Sequence, residues 1–127
     1  MRPINVSPGF ASLFMREVLR WARNNLELTT EEIARFLGIT SVRTTACFKG
    51  AVQELNPQEW LKVENLFFLM YLTERNIRDK HDPHAIFFWV NDSVPALRGR
   101  SPKTAILEGD IESVISMLAS LESGAHI

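Results

Sequence analysis

Phe87-Phe88-Trp89-Val90-Asn91-Asp92-Ser93-Val94-Pro95-Ala96-Leu97-Arg98-Gly99-Arg100-Ser101-Pro102-Lys103-Thr104-Ala105-Ile106-Leu107-Glu108-Gly109-Asp110 spells out helix ends and helix starts in quick succession. Pro95 has no backbone donor and disfavours helix at Val94, so the helix carrying Trp89 ends or kinks before it. Ser101-Pro102 is a start: the hydroxyl accepts from first-turn N–H groups, and proline lacks a donor that would be unpaired there. Gly109 closes this short helix by taking a left-handed conformation, and Asp110 is placed to cap the next one, which runs to Gly124. Short helices joined this tightly form a corner.

The spacing Trp89, Leu97, Gly99, Ser101-Pro102, Ala105, Leu107, Gly109, Val114, Leu118 and Gly124 resembles the C-terminal domain of the MbcA/ParS/Xre antitoxin family. The likeness covers about a third of the chain; Arg98 and Arg100 around Gly99 and a short tail after Gly124 depart from the pattern. It implies an antitoxin that binds and occludes a RES-domain toxin, an enzyme similar to ADP-ribosyltransferases that consumes NAD. It also implies a homodimer, and repression of the shared operon by the N-terminal lobe.

Outward from this corner, every punctuation signal is helical. No stretch alternates with period two over any length, so an all-α protein of about seven helices is expected, divided into residues 1–80 and 81–127. Ser7-Pro8 opens a helix that places Phe10, Phe14, Val18 and Trp21 on one stripe. Leu28-Thr29-Thr30-Glu31-Glu32-Ile33 combines a capping box, Thr29 with Glu32, and a hydrophobic staple, Leu28 with Ile33. Ile33, Ala34, Leu37, Gly38 and Ile39 then fall where a helix-turn-helix needs a small contact, a turn and flanking aliphatics. This part is similar to the Xre-type helix-turn-helix, although its later interior positions, Thr44, Cys47 and Phe48, are small or polar for the role. The residues of the second helix expected to face DNA are Ser41, Val42, Arg43, Thr45 and Lys49. Arginine can take guanine bidentately, while serine and threonine mostly bond phosphate.

Asn56-Pro57-Gln58-Glu59 repeats the start grammar, with Leu55 stapled to Trp60, and opens a long helix. Its middle, Leu66-Phe67-Phe68-Leu69-Met70-Tyr71-Leu72, is apolar all round, which a surface helix cannot sustain in water. A homodimer through Phe67, Phe68 and Tyr71 answers that. The connection from Glu74 to Pro83 is highly charged and reads as a solvated joint.

Composition bounds the remaining possibilities. With 46% hydrophobic residues, three tryptophans and eight phenylalanines, the chain can bury a core and is not generally disordered. The net charge of -1 hides an asymmetry: seven basic residues against four acidic up to Gly50, then seven against eleven. A mildly basic first half suits phosphate contacts. The single Cys47 cannot form an internal disulfide or a metal cluster, nothing before the first helix reads as a signal peptide, and no apolar run approaches about 20 residues. The expectation is a cytoplasmic protein with no membrane span.

His81 and His84 lack a second ligand cluster, so no metal is expected, and no cofactor. No phosphate-cradling glycine loop, paired carboxylates or serine-histidine-acid grouping appears, so no catalytic residues are assigned and the chain is not read as an enzyme. At the C-terminal corner, Arg98, Arg100 and Lys103 form a basic cluster in an otherwise acidic half. With the tail Gly124, Ala125, His126 and Ile127 they are the candidate toxin contacts. A stand-alone transcriptional regulator, its C-terminal helices serving for dimerisation or effector sensing, is the alternative reading.

Overall fold

The computed structural model describes residues 8–50 and 54–124, and among them it is all-helical with no strand. Seven α-helices run in order: α1 Pro8–Asn25, α2 Thr30–Leu37, α3 Ser41–Phe48, α4 Pro57–Asn76, α5 Ala85–Asn91, α6 Pro102–Leu107 and α7 Ile111–Glu122, with a 3-10 turn at Pro95–Leu97 between α5 and α6. Contacts divide the chain into two compact units, Met1–Phe67 and Phe68–Ile127, and the division falls within α4.

In the first unit α1, α2 and α3 pack on one another. Pro8 is the first residue of α1; Ser7, its expected cap, lies outside the described residues. The start of α2 forms as the local rule dictates: Thr29 Oγ1 accepts from the Glu32 N–H at 3.0 Å, and Glu32 Oε1 accepts from the Thr29 N–H at 2.9 Å. At its end Gly38 takes φ 77°, and the N–H groups of Gly38 and Ile39 both donate to the Ala34 carbonyl, so the chain turns sharply into α3. Thr40 caps α3 by accepting from the Arg43 N–H at 3.1 Å. Ile33, Ala34 and Leu37 face Thr44, Cys47 and Phe48 as buried residues of this helix pair, closing the angle expected of a helix-turn-helix. Trp60, Val63 and Leu66 bury one stripe of α4, whose start carries the reciprocal Asn56–Glu59 bonds at 2.8 and 3.0 Å.

In the second unit α6 packs on both α5 and α7, and the 3-10 turn packs on α7. Ile86, Val90, Leu97, Ala105, Ile106, Val114 and Leu118 make its core. The segment between α5 and α6 closes on itself: the Val94 N–H donates to the Arg100 carbonyl, and the Gly99 N–H returns to the Val94 carbonyl, both at 3.0 Å. Arg98 and Gly99 are both left-handed, at φ 61° and 79°. Ser101 caps α6 as expected, accepting from the Thr104 N–H at 3.1 Å. Asp110 departs from expectation. It precedes α7 but makes no capping bond with its side chain; its carboxylate instead takes the Ser113 hydroxyl and the Arg100 guanidinium. The charged joint is ordered by two aspartate turns, Asp79 accepting from the His81 N–H and Asp82 from the His84 N–H. No helix among the described residues is long and apolar enough to cross a membrane.

Candidate functional site

Helix α3 presents the surface expected to meet DNA. With Thr44, Cys47 and Phe48 buried, the opposite stripe consists of Val42, Thr45, Ala46 and Lys49, spaced i, i+3, i+4, i+7. These four line an open groove of about 350 Å³, and Val42 is 80% exposed. Ser41 is exposed at the start of the helix. Arg43 lies apart from this stripe. Its Nη2 donates to the Glu54 carbonyl at 2.7 Å and sits 3.9 Å from Glu59 Oε1, so the guanidinium clamps the segment entering α4. Ala46 takes a place on the outward face that sequence reading did not assign it, although counting from Val42 in helical steps points to it. Cys47 is buried, and burial, against a smaller opposing effect of Arg43, raises its thiol pKa, which makes it a poor nucleophile.

The corner of the second unit holds the expected partner contacts. Arg98 is exposed, its left-handed backbone being the C-cap of the 3-10 turn. Arg100 is engaged internally: Nε donates to the Leu97 carbonyl at 2.9 Å, Nη1 to Glu108 at 3.1 Å and Nη2 to Asp110 at 2.7 Å. The hydrogen bonds to Asp110 and Glu108 raise its pKa, and the Arg100 bond, followed by that from Ser113, holds the Asp110 carboxyl below its ordinary range. Arg100 thus ties the turn to the start of α7 across the whole of α6. Lys103 is half-buried on α6, and Gly124 ends α7 at φ 82°. Ala125, His126 and Ile127 lie outside the described residues.

Of the residues assigned to self-association, Phe67 is half-buried with its ring 5.2 Å from that of Phe14 in the first unit. Phe68 and Tyr71, in the second, are about half exposed, and Arg75 lies over the Tyr71 ring while pairing with Glu122 at 2.8 Å. Two further surfaces of the second unit escaped sequence reading. Phe87 and Phe88 stand out from α5 beside His84, while Ile86 and Val90 are the residues that this helix buries. An open groove of about 350 Å³ is lined by Ala96 and by Glu112, Ser113, Ser116, Met117 and Ser120 of α7. The serines, spaced three and four residues apart, signal a polar helix face, but nothing in the sequence shows that Ala96 closes its end. Among the described residues no group of three His, Cys, Asp or Glu side chains is placed to hold a metal ion.

No protein-family model matches the sequence, and no curated protein does. Among solved structures, a chain of the M. tuberculosis MbcT-MbcA toxin-antitoxin complex superposes with a TM-score of 0.53 at 18% identity, over 88% of this chain and 96% of that one. The chain shares that fold. The alignment spans nearly the whole of both chains, so it takes in the helix-turn-helix unit as well as the C-terminal corner.

Proposed function

We propose that this chain is the antitoxin of a toxin–antitoxin pair, and that it neutralises its partner with its C-terminal unit. The observation that carries the reading is the fold shared, over 88% of the chain, with a chain from a toxin–antitoxin complex. The Trp89-to-Gly124 spacing supports it independently, since that pattern resembles antitoxins of RES-domain toxins. The proposed partner is therefore a RES-domain enzyme acting on NAD, in the cytoplasm. Pro95, Gly99, Pro102 and Gly109 set α5, α6 and α7 at fixed turns, which lowers the ordering cost of an interface. Arg98 and Lys103, with the end from Gly124 to Ile127, are the proposed contacts; Arg100 holds the corner that presents them. Phe68 and Tyr71, with Phe67, form the proposed homodimer contact along α4, since half-exposed aromatic rings leave apolar area in water.

The first unit is proposed to repress the shared operon, laying α3 in the major groove with Ser41, Val42, Thr45 and Lys49 towards the DNA and Arg43 at the flank. Its affinity would then fall steeply with salt, because displaced counterions drive phosphate binding.

The test is co-expression with the product of the reading frame beside its own, which the proposal expects to be a RES-domain enzyme. Growth is restored by the intact chain and lost on deleting residues 124–127 or on Arg98→Glu, a change that leaves the Arg100 network in place. Survival with everything after Lys80 removed contradicts the assignment.

A further inference from the structure

The face of α3 that the fold leaves outward is mostly aliphatic, and its one guanidinium is turned away. Arg43, the side chain best suited to guanine, is bonded to the Glu54 carbonyl at 2.7 Å and paired with Glu59. The four residues left on the outward stripe, Val42, Thr45, Ala46 and Lys49, bring an isopropyl group, two methyl-bearing side chains and an ammonium to a single groove. Among the described residues Val42 is the most exposed large hydrophobic one, at 80%, on the first turn of the helix. In a helix-turn-helix the first turn of the second helix is the part that reaches base edges. In the major groove, the feature complementary to the methyl groups of Val42, Thr45 and Ala46 is the C5-methyl group of thymine, which guanine, cytosine and adenine lack.

We infer that the α3 groove reads thymine: Val42, flanked by Thr45 and Ala46, packs on thymine C5-methyl groups while Lys49 takes a backbone phosphate. This deepens the DNA-binding role proposed above and rests on it. DNA is favoured over a protein segment as the occupant by charge: the chain up to Gly50 holds seven basic residues against four acidic ones, and the groove itself ends in a lysine with no acid lining it. The inference also reassigns specificity. Arg43 contributes by holding the entry to α4, so the operator's information lies in its thymines, read through a side chain with no hydrogen-bonding group.

The experiment uses the full chain and the DNA immediately upstream of its own reading frame, made once with thymine and once with deoxyuridine, which lacks only the methyl group. Binding is followed by fluorescence anisotropy at fixed salt. The deoxyuridine fragment binds roughly three- to fivefold more weakly for each methyl contacted. Val42→Ala, at a position exposed enough to leave folding intact by circular dichroism, weakens binding to the thymine fragment and removes most of the difference between the two. Equal, salt-sensitive binding of both fragments overturns the thymine inference while leaving operator binding standing. No binding of either fragment at any salt overturns both. Loss of toxin binding by Val42→Glu, with DNA binding unchanged, assigns the groove to a protein and overturns the inference as well.

Discussion

Thr44 and Thr73 are equally buried, at 0% exposure, and the same substitution at each has opposite consequences. The Thr44 hydroxyl donates to the Thr40 carbonyl at 2.9 Å, alongside the helical bond from the Thr44 N–H at 3.0 Å. The Thr73 hydroxyl, on α4, has no hydrogen-bond partner among the described residues. Valine keeps the shape of threonine and removes the hydroxyl. Thr44→Val loses one hydrogen bond but orphans nothing, because the Thr40 carbonyl keeps its backbone donor; the cost is about 0.5–1.5 kcal/mol. Thr73→Val removes a desolvated, unsatisfied group, so stability rises by about 1 kcal/mol, the low end of the penalty for burying such a group. Helix propensity is nearly the same for the two residues and cancels. Urea denaturation followed by circular dichroism reads both: at a slope of about 2 kcal/mol per molar, each kcal/mol moves the midpoint by about 0.5 M, in opposite directions. Two shifts of the same sign, with unchanged slopes, would refute the reasoning.

Gly109→Ala should destabilise the second unit by about 1–2 kcal/mol through its left-handed backbone alone, since φ is 87° and an added Cβ meets nothing within 4 Å; Gly109→Asn should cost less, as measured by thermal melting. Thr29→Ala removes half of the capping box and should cost about 1 kcal/mol in the same urea assay, with Thr29→Ser restoring most of it. Asp110 and Glu122 have pKa values lowered by hydrogen bonds from Arg100 and Arg75, so their contribution to stability is present above the ordinary carboxylate range and is lost as pH falls through the lowered values. Denaturation midpoints measured from about pH 6 down to about pH 2 should fall less for Arg100→Gln than for the unaltered chain.

Local chemistry made most of the fold legible. The capping pairs at Thr29–Glu32 and Asn56–Glu59, and the Ser101 cap, involve residues three apart, so they need no partner from a distant part of the chain; Asp110, whose carboxylate is drawn to Arg100, is the expected cap that did not form. The 3-10 turn was hidden, because Pro95 announces only that α5 has stopped and leaves the conformation of the next residues open. The candidate sites were less legible for a single reason. A charged side chain declares its chemistry in sequence but not its partner. Arg43 finds a backbone carbonyl eleven residues on, and Arg100 finds acids eight and ten residues on, so two cations expected to face outward are engaged within their own units. Conversely Ala46, Phe87 and Phe88 looked like ordinary helix residues until the buried faces of α3 and α5 were known.

The central claim, that the C-terminal unit is the surface that meets the proposed toxin, is tested most directly by amide hydrogen exchange on the intact chain, alone and with the purified product of the reading frame beside its own. The account predicts a stable complex in which exchange slows across residues 94–124, in the turn, α6 and α7, with little change in α3. The absence of a complex, or protection confined to residues before Phe67, would contradict it.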